Sequence, residues 1–520
     1  MAHATFQTRL RQRLDASKNP FRCPAVLGQA SDFARSEIAV GEIFRSVRLL
    51  FASSLTLLLA GCATYRSEPI SPARNAAALD SRTLDNSQLQ HFIQASLPSL
   101  SQSNGQPSWG LGALTLAALY YHPDLDVARA KLAVSRAGVL TARQRPNPTL
   151  GFSAVYDATS PIAFPFTIGP AINFLIETFG RREARTAQAR HLVDAARWNL
   201  ATAGWQVRGR VRAALLALWA GQHRLALARG RLALQQELVR LLESRFSAGE
   251  ASAVNVMQER ISLAQLDLSH RTFERSIAEA RAQLAAAIGV PLGALDGIRI
   301  TTAAFDRSIF VPPDLARGEL RRRALTGRTD IRAALSDYEA AQSALRLQIA
   351  NQYPNVTLGP GYNYDVGANK FLLSPGLDPL PVLNQNQGPI AEALANRQQA
   401  AATFTALQAQ VMSAIDSAAV AYRTAARSLT AADALMADAQ RRERQVAASF
   451  RAGAVDRPTL VTAETELAAV QASQFDAFVL QKEALGALED ALEQPLFDRG
   501  AWPAAAETDL RVAAVKTARS

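Results

Sequence analysis

From Gly180 to about Ser244, apolar residues recur at a helical spacing. Val211, Leu218, Leu225, Leu232, Val239 and Phe246 repeat every seven residues. A second series, Ala220, Leu227, Leu234 and Leu241, runs two residues out of step with the first. Two residues are about 200° around a helix, so the two seams lie on nearly opposite sides and the rod needs a neighbour on each. A dimeric coiled coil has one such seam; a wall of side-by-side helices needs two. The spacing returns at Ile415, Tyr422, Leu429 and Met436. Proline is absent from 124–145, 171–290, 314–353, 390–457 and 459–494. Proline inside a helix costs about 3 kcal/mol, so these tracts are where helices run. One over 180–244 would approach about 100 Å.

In the proline-rich breaks the period changes from seven to two. Leu150, Phe152, Ala154 and Tyr156 alternate with Gly151, Ser153, Val155 and Asp157. Phe166, Ile168, Ile172, Phe174 and Ile176 alternate with Thr167, Gly169, Asn173 and Glu177, and Val356, Leu358, Tyr362 and Tyr364 with Thr357, Gly359, Asn363 and Asp365. A weaker fourth strand is expected over 377–383. Four strands cannot close a barrel, and unpaired backbone cannot face lipid, so strands that meet a membrane require several chains. The same alternation would serve a small soluble sheet packed on helices.

The chain repeats itself. Residues 122–148 align without a gap to 328–354 at an offset of 206; Gly180 falls opposite Gly388, Phe246 and Gly249 opposite Phe450 and Gly453, and Pro291 opposite Pro495. The expected organisation is a leader over 1–62, an extended segment over 63–112, a helix, strand, strand, helix repeat over 113–296, and a linker over 297–318 containing Pro312-Pro313. A second repeat covers 319–498 and a tail 499–520.

Composition narrows the function. Apolar residues are 48% and aromatics 7%, which excludes wholesale disorder. The net charge of +11 includes +4 in the first 48 residues, and only five of the 56 basic residues are lysine. That is no footprint for nucleic acid. Cys23 and Cys62 give no disulfide framework, zinc site or Fe–S ligand set. The histidines, His3, His91, His122, His191, His223 and His270, are scattered, and no metalloprotease, nucleophile-elbow or phosphate-loop motif occurs. No catalytic residue is expected. Arg181-Arg182 follows a strand-to-helix turn and reads as a rim charge.

The leader has an address. After Arg45 and Arg48 come twelve uncharged residues, 49–60, where crossing a bilayer needs about 20. Leu59-Ala60-Gly61-Cys62 resembles the bacterial lipoprotein box, which implies a lipid on Cys62 and a mature chain starting there. A buried core cysteine is the alternative. Ala63, rather than aspartate, resembles a signal for transfer to the outer membrane. No methionine lies between Met1 and Met257, so translation is expected to start at another codon near Val40 or Val47.

Leu114 to Leu125, Glu177 to Arg182, Arg245 to Gly249, Pro381 to Gly388 and Ser449 to Gly453 resemble the TolC-like outer-membrane efflux family, specifically its lipoprotein branch serving resistance-nodulation-division pumps. The resemblance covers about 62–498. It implies a mostly α fold with a small membrane β portion, in which a homotrimer builds a twelve-stranded barrel on an α-helical periplasmic tunnel. It further implies a passive duct for metal cations or drugs, fed by an inner-membrane pump through a periplasmic adaptor. No cofactor is implied beyond the lipid on Cys62. Phe246, Ser247, Ala248 and Gly249, with Phe450, Arg451, Ala452 and Gly453, match the hairpin tips that meet the adaptor. Where some members carry acidic gating rings this chain has Thr459 and Thr462, which leaves Asp456, Glu464 and Glu466 as gate candidates and Arg457 as a partner. The 383–388 stretch looks closest to members attached to heavy-metal exporters. A type I secretion duct is the nearest rival reading, and a soluble helical scaffold is one from a different class.

Overall fold

The computed structural model describes residues 65–96, 109–159, 166–306, 318–365 and 367–496. Cys62 and Pro312-Pro313 lie outside the described residues. The short helices α1 (Pro72–Asp80), α2 (Ser87–Ser96) and α3 (Leu111–Tyr121) come first. The first repeat then runs α4 (Pro123–Arg143), β1 (Thr149–Tyr156), β2 (Phe166–Ile176), α5 (Arg181–Ser247) and α6 (Ala253–Ile288). After α7 (Glu319–Gly327) the second repeats the order with α8 (Thr329–Ala350), β3 (Asn355–Asp365), β4 (Ala368–Asp378), α9 (Gln387–Arg451) and α10 (Arg457–Leu492).

The 67 residues of α5 make a rod of about 100 Å. It packs against α6 on one side and α8 and α10 on others, the several-neighbour packing that two apolar seams require. Both long helices enter from a left-handed residue. In α5 it is Gly180 at φ 72°, and in α9 it is Asn386 at φ 63°. Gly388, expected to match Gly180, instead lies inside α9. Asparagine tolerates the left-handed region, so the offset of 206 persists to Asn386 and the register changes only within the rods, where α9 is two residues shorter than α5.

The strands form one antiparallel sheet in the order β1-β2-β3-β4. The fourth strand occupies Ala368–Asp378 rather than 377–383. Pro379 and Pro381 lack the N–H a ladder needs, while Gly367 at φ 87° turns the chain straight back from β3.

The core sits where α3 meets the middle of α5 and the ends of α6 and α10. Every residue of α3 is buried. Leu114, Leu116, Val207, Val211, Leu215, Leu284 and Ile288 are almost wholly excluded from water, and each large side chain so buried contributes about 1.5–3 kcal/mol.

Candidate channel wall and hairpin tips

The registers are free of bulges, so each face of the sheet can be read directly. Leu150, Phe152 and Tyr156 of β1 share a face with Ile172 and Phe174 of β2, Leu358 and Tyr364 of β3, and Phe371, Leu373 and Leu377 of β4. That face is apolar, and Leu150, Phe152, Phe371 and Leu373 are each more than 60% exposed. The opposite face carries Ser153, Thr167, Asn173, Thr357, Asn363 and Ser374 among glycines. The outer edges of β1 and β4 pair with no strand among the described residues. No described helix is long and apolar enough to cross a membrane.

Side chains at the strand-to-helix passage lock sheet to rods. Arg181 is buried rather than a rim charge, because its guanidinium donates to the carbonyls of Ala350, at 3.3 Å, and Tyr353 near the end of α8. Cationic donors suit a helix C-terminus, where carbonyls lack intrahelical partners. Arg185 bridges Glu177 at 2.6 Å and donates to Ala142 O at 3.0 Å, and Phe179 stacks on Tyr353. Arg182, by contrast, keeps to the surface beside Glu183.

The two hairpin tips are built alike. In the first, Gly249 adopts φ 77°, its N–H reaches Phe246 O at 3.0 Å, and Glu250 N–H reaches Arg245 O at 2.8 Å. In the second, Gly453 adopts φ 74°, with Gly453 N–H on Phe450 O at 3.0 Å and Ala454 N–H on Ser449 O at 2.9 Å. Both are Schellman turns, where glycine takes the left-handed position without a Cβ penalty. Phe246, Ser247, Ala248, Gly249, Arg451, Ala452 and Gly453 are exposed, and Phe450 is half-buried.

Asp456 caps α10, accepting Thr459 N–H at 3.0 Å and the Thr459 hydroxyl at 2.6 Å. These bonds, with Arg245 beyond them, hold its carboxyl below the usual range. Its other oxygen accepts from Arg245 at 2.5 Å, which ties the second hairpin to the first. Arg457 makes a second tie, 2.8 Å from Glu237 of α5 and 3.6 Å from Glu464 of its own helix. Glu466 pairs with Arg442 of α9 at 2.9 Å. The candidate gate acids therefore stand in ion pairs within one chain. Sequence reasoning found Asp456, Arg457 and Glu464 but missed Arg245 and Glu237, which lie more than 200 residues away and carry no local signal. It also missed the repeated Gly-Pro-x-x-Asn pattern at 169–173 and 359–363, which the offset of 206 does not align. Among the described residues no group of three or more His, Cys, Asp or Glu is placed to hold a metal ion.

The chain is thus a duplicated unit of two strands and two long helices, joined through one sheet with an apolar face. Residues 115–290, about a third of the chain, match the family described as outer membrane efflux protein. The cobalt-zinc-cadmium resistance protein CzcC of Cupriavidus metallidurans is 26% identical over 296 residues, which is 55% of this chain and 66% of that protein. The pyoverdine export outer membrane protein OpmQ of Pseudomonas aeruginosa is 28% identical over 276 residues, 50% of this chain and 56% of that one. The chain thus spans less than two thirds of either curated relative. The outer-membrane channel OprN shares the fold at a TM-score of 0.60 and 20% identity, over 84% of this chain and 99% of its own.

Proposed function

We propose that this chain is the outer-membrane channel of a tripartite efflux system, passively conducting metal cations or drugs from an inner-membrane pump and a periplasmic adaptor to the exterior. The observation that carries this is the sheet, apolar and exposed on one face, polar on the other, and open at both edges. An open edge in lipid leaves backbone groups unsatisfied at several kcal/mol each, so the sheet must close with copies of itself. Three copies give twelve strands, and the long helices continue the pipe across the periplasm. The relatives' names point to different cargoes, metals for CzcC and pyoverdine for OpmQ, as expected of a duct whose pump chooses. The duct performs no catalysis and carries no cofactor apart from a lipid on Cys62.

The tips Phe246 to Gly249 and Phe450 to Gly453 form the adaptor contact, and Asp456 and Glu464 belong to the gate. The gate works through the Arg245–Asp456 and Arg457–Glu237 ties that hold the two hairpins of a protomer together. Purified protein in planar bilayers tests the reading. Heat-sensitive trimers should form discrete channels, and Asp456→Ala with Glu464→Ala should raise their conductance. A stable monomer that leaves the bilayer impermeable overturns the conduit; unchanged conductance removes only the gate.

A further inference from the structure

On the polar face of the sheet, β2 and β3 carry one pattern in opposite directions: Gly169-Pro170-Ala171-Ile172-Asn173 and Gly359-Pro360-Gly361-Tyr362-Asn363. Ala171 pairs with Gly361. A local two-fold through that pair sets each asparagine opposite the other strand's glycine. A Cβ added to Gly359 would strike Oδ1 of Asn173, and one added to Gly169 would strike the backbone of β3 at Tyr362 O as well as Oδ1 of Asn363. Thr357 repeats the arrangement, with Oγ1 standing 2.7 Å from where a Cβ on Gly376 of β4 would lie. Three polar side chains thus lie down along the wall in notches that glycine leaves open.

The face is also uncharged over most of its height. Asp365 and Lys370, paired with each other, stand near the β3–β4 turn, and Asp378 ends β4. Between them the alternation places only hydroxyl, amide, glycine and apolar residues. A ring of carboxylates in a pore attracts cations and a ring of arginines or lysines attracts anions, whereas amides and hydroxyls hydrogen-bond water without a net field.

We propose that Asn173, Asn363 and Thr357, folded flat over Gly359, Gly169 and Gly376, form a neutral collar that sets the bore of the exit barrel and lets bulky solutes of either charge pass. The inference rests on the conduit reading, in which this face lines the lumen. It commits the barrel to cargo sorted by size rather than by charge.

Single-channel recording on full-length trimers tests it. In Gly359→Ala with Gly376→Ala the only atoms overlapped by the new methyl groups are Oδ1 of Asn173 and Oγ1 of Thr357, so the sheet should assemble while both side chains are pushed into the lumen. Conductance should fall, and adding Asn173→Ala with Thr357→Ala should restore it. No fall, or a fall that the second pair leaves uncorrected, overturns the collar. Independently, Asn173→Asp with Asn363→Asp adds six carboxylates per trimer and should shift the reversal potential in a KCl gradient toward that of potassium. An unmoved reversal potential with channels intact also overturns it. Parental trimers that form no channels sink the conduit reading itself, and the collar with it.

Discussion

At its C-terminal end α6 packs Leu284, Ala285, Ala287 and Ile288, all buried. At the matching end of α10, the counterpart of Ala285 is Glu489, whose side chain is wholly buried. Its carboxylate accepts from Arg208 and, at 3.0 Å, from Arg212, both on α5, and from Leu496 N–H at 2.9 Å; Arg212 also reaches Asp490 at 2.6 Å. Gly486 permits the approach, since a Cβ there would stand 2.9 Å from Arg212 Nε. Apolar contact is non-directional, but a buried carboxylate with three donors is satisfied in one register only. The first repeat is therefore fastened by contact that tolerates sliding and the second by a lock that does not.

The helix stops differ in the same spirit. Gly289 ends α6 at φ 85° with its absent side chain against the backbone of Tyr121 and His122, and Arg82 donates to Tyr121 O at 2.7 Å and Gly289 O at 2.9 Å. Glu493 ends α10 at φ 52°, strained for a residue with a Cβ, and uses its carboxylate to accept Thr329 N–H at 2.6 Å and the Thr329 hydroxyl at 2.7 Å at the start of α8.

Substitutions at Glu489 and its arginine partners, at Gly289 and at Glu493 would break or sharpen this contrast, each read by thermal unfolding of detergent-purified protein. Glu489→Ala removes the buried carboxylate that Arg208 and Arg212 share, leaving Arg212 its pair with Asp490, and should cost about 3–5 kcal/mol. Adding Arg208→Met with Arg212→Met should recover most of it, because apolar replacement of a buried ionic group is often neutral; failure to recover would mean the lock is not ionic. Gly289→Ala sets a Cβ 3.0 Å from backbone atoms of both Tyr121 and His122 and should cost about 2 kcal/mol, whereas Glu493→Gly exchanges relief of strain for a lost cap and should come out near zero. The smallest effect is a slope. Burial pushes the Glu493 carboxyl up, against the bonds from Thr329 and the charge of Arg328. A raised carboxyl stabilises the fold at pH below the unfolded value, and that contribution is lost as pH rises through the folded value. Glu493→Gln should flatten stability over that window, and an unchanged slope would assign it to another group.

The rods were legible because their seams recur over many turns, and the tips because glycine is the residue a left-handed helix stop favours. Asn386 was not, since asparagine can occupy the same backbone region and Gly388 lay nearby as a decoy. The fourth strand was hidden by consecutive Phe371-Leu372-Leu373, which blurs the two-residue period that its pairing with β3 makes plain. Arg181 reads as a rim charge, and Arg208, Arg212 and Glu489 carry no local signal of burial; only the neighbouring helices bury them. The faces of β1, β2 and β3 were written in the sequence, but the asparagine over its opposing glycine depends on a strand register that no local pattern contains.

The two-residue difference between α5 and α9 has an outcome at the far end of the molecule. Both rods start from a left-handed residue and finish in the same turn, yet one has 67 residues and the other 65, a difference of about 3 Å in reach. The two Schellman turns of one chain therefore finish rods of unequal length, and the Arg245–Asp456 pair that joins them fixes where the longer rod stops against the shorter.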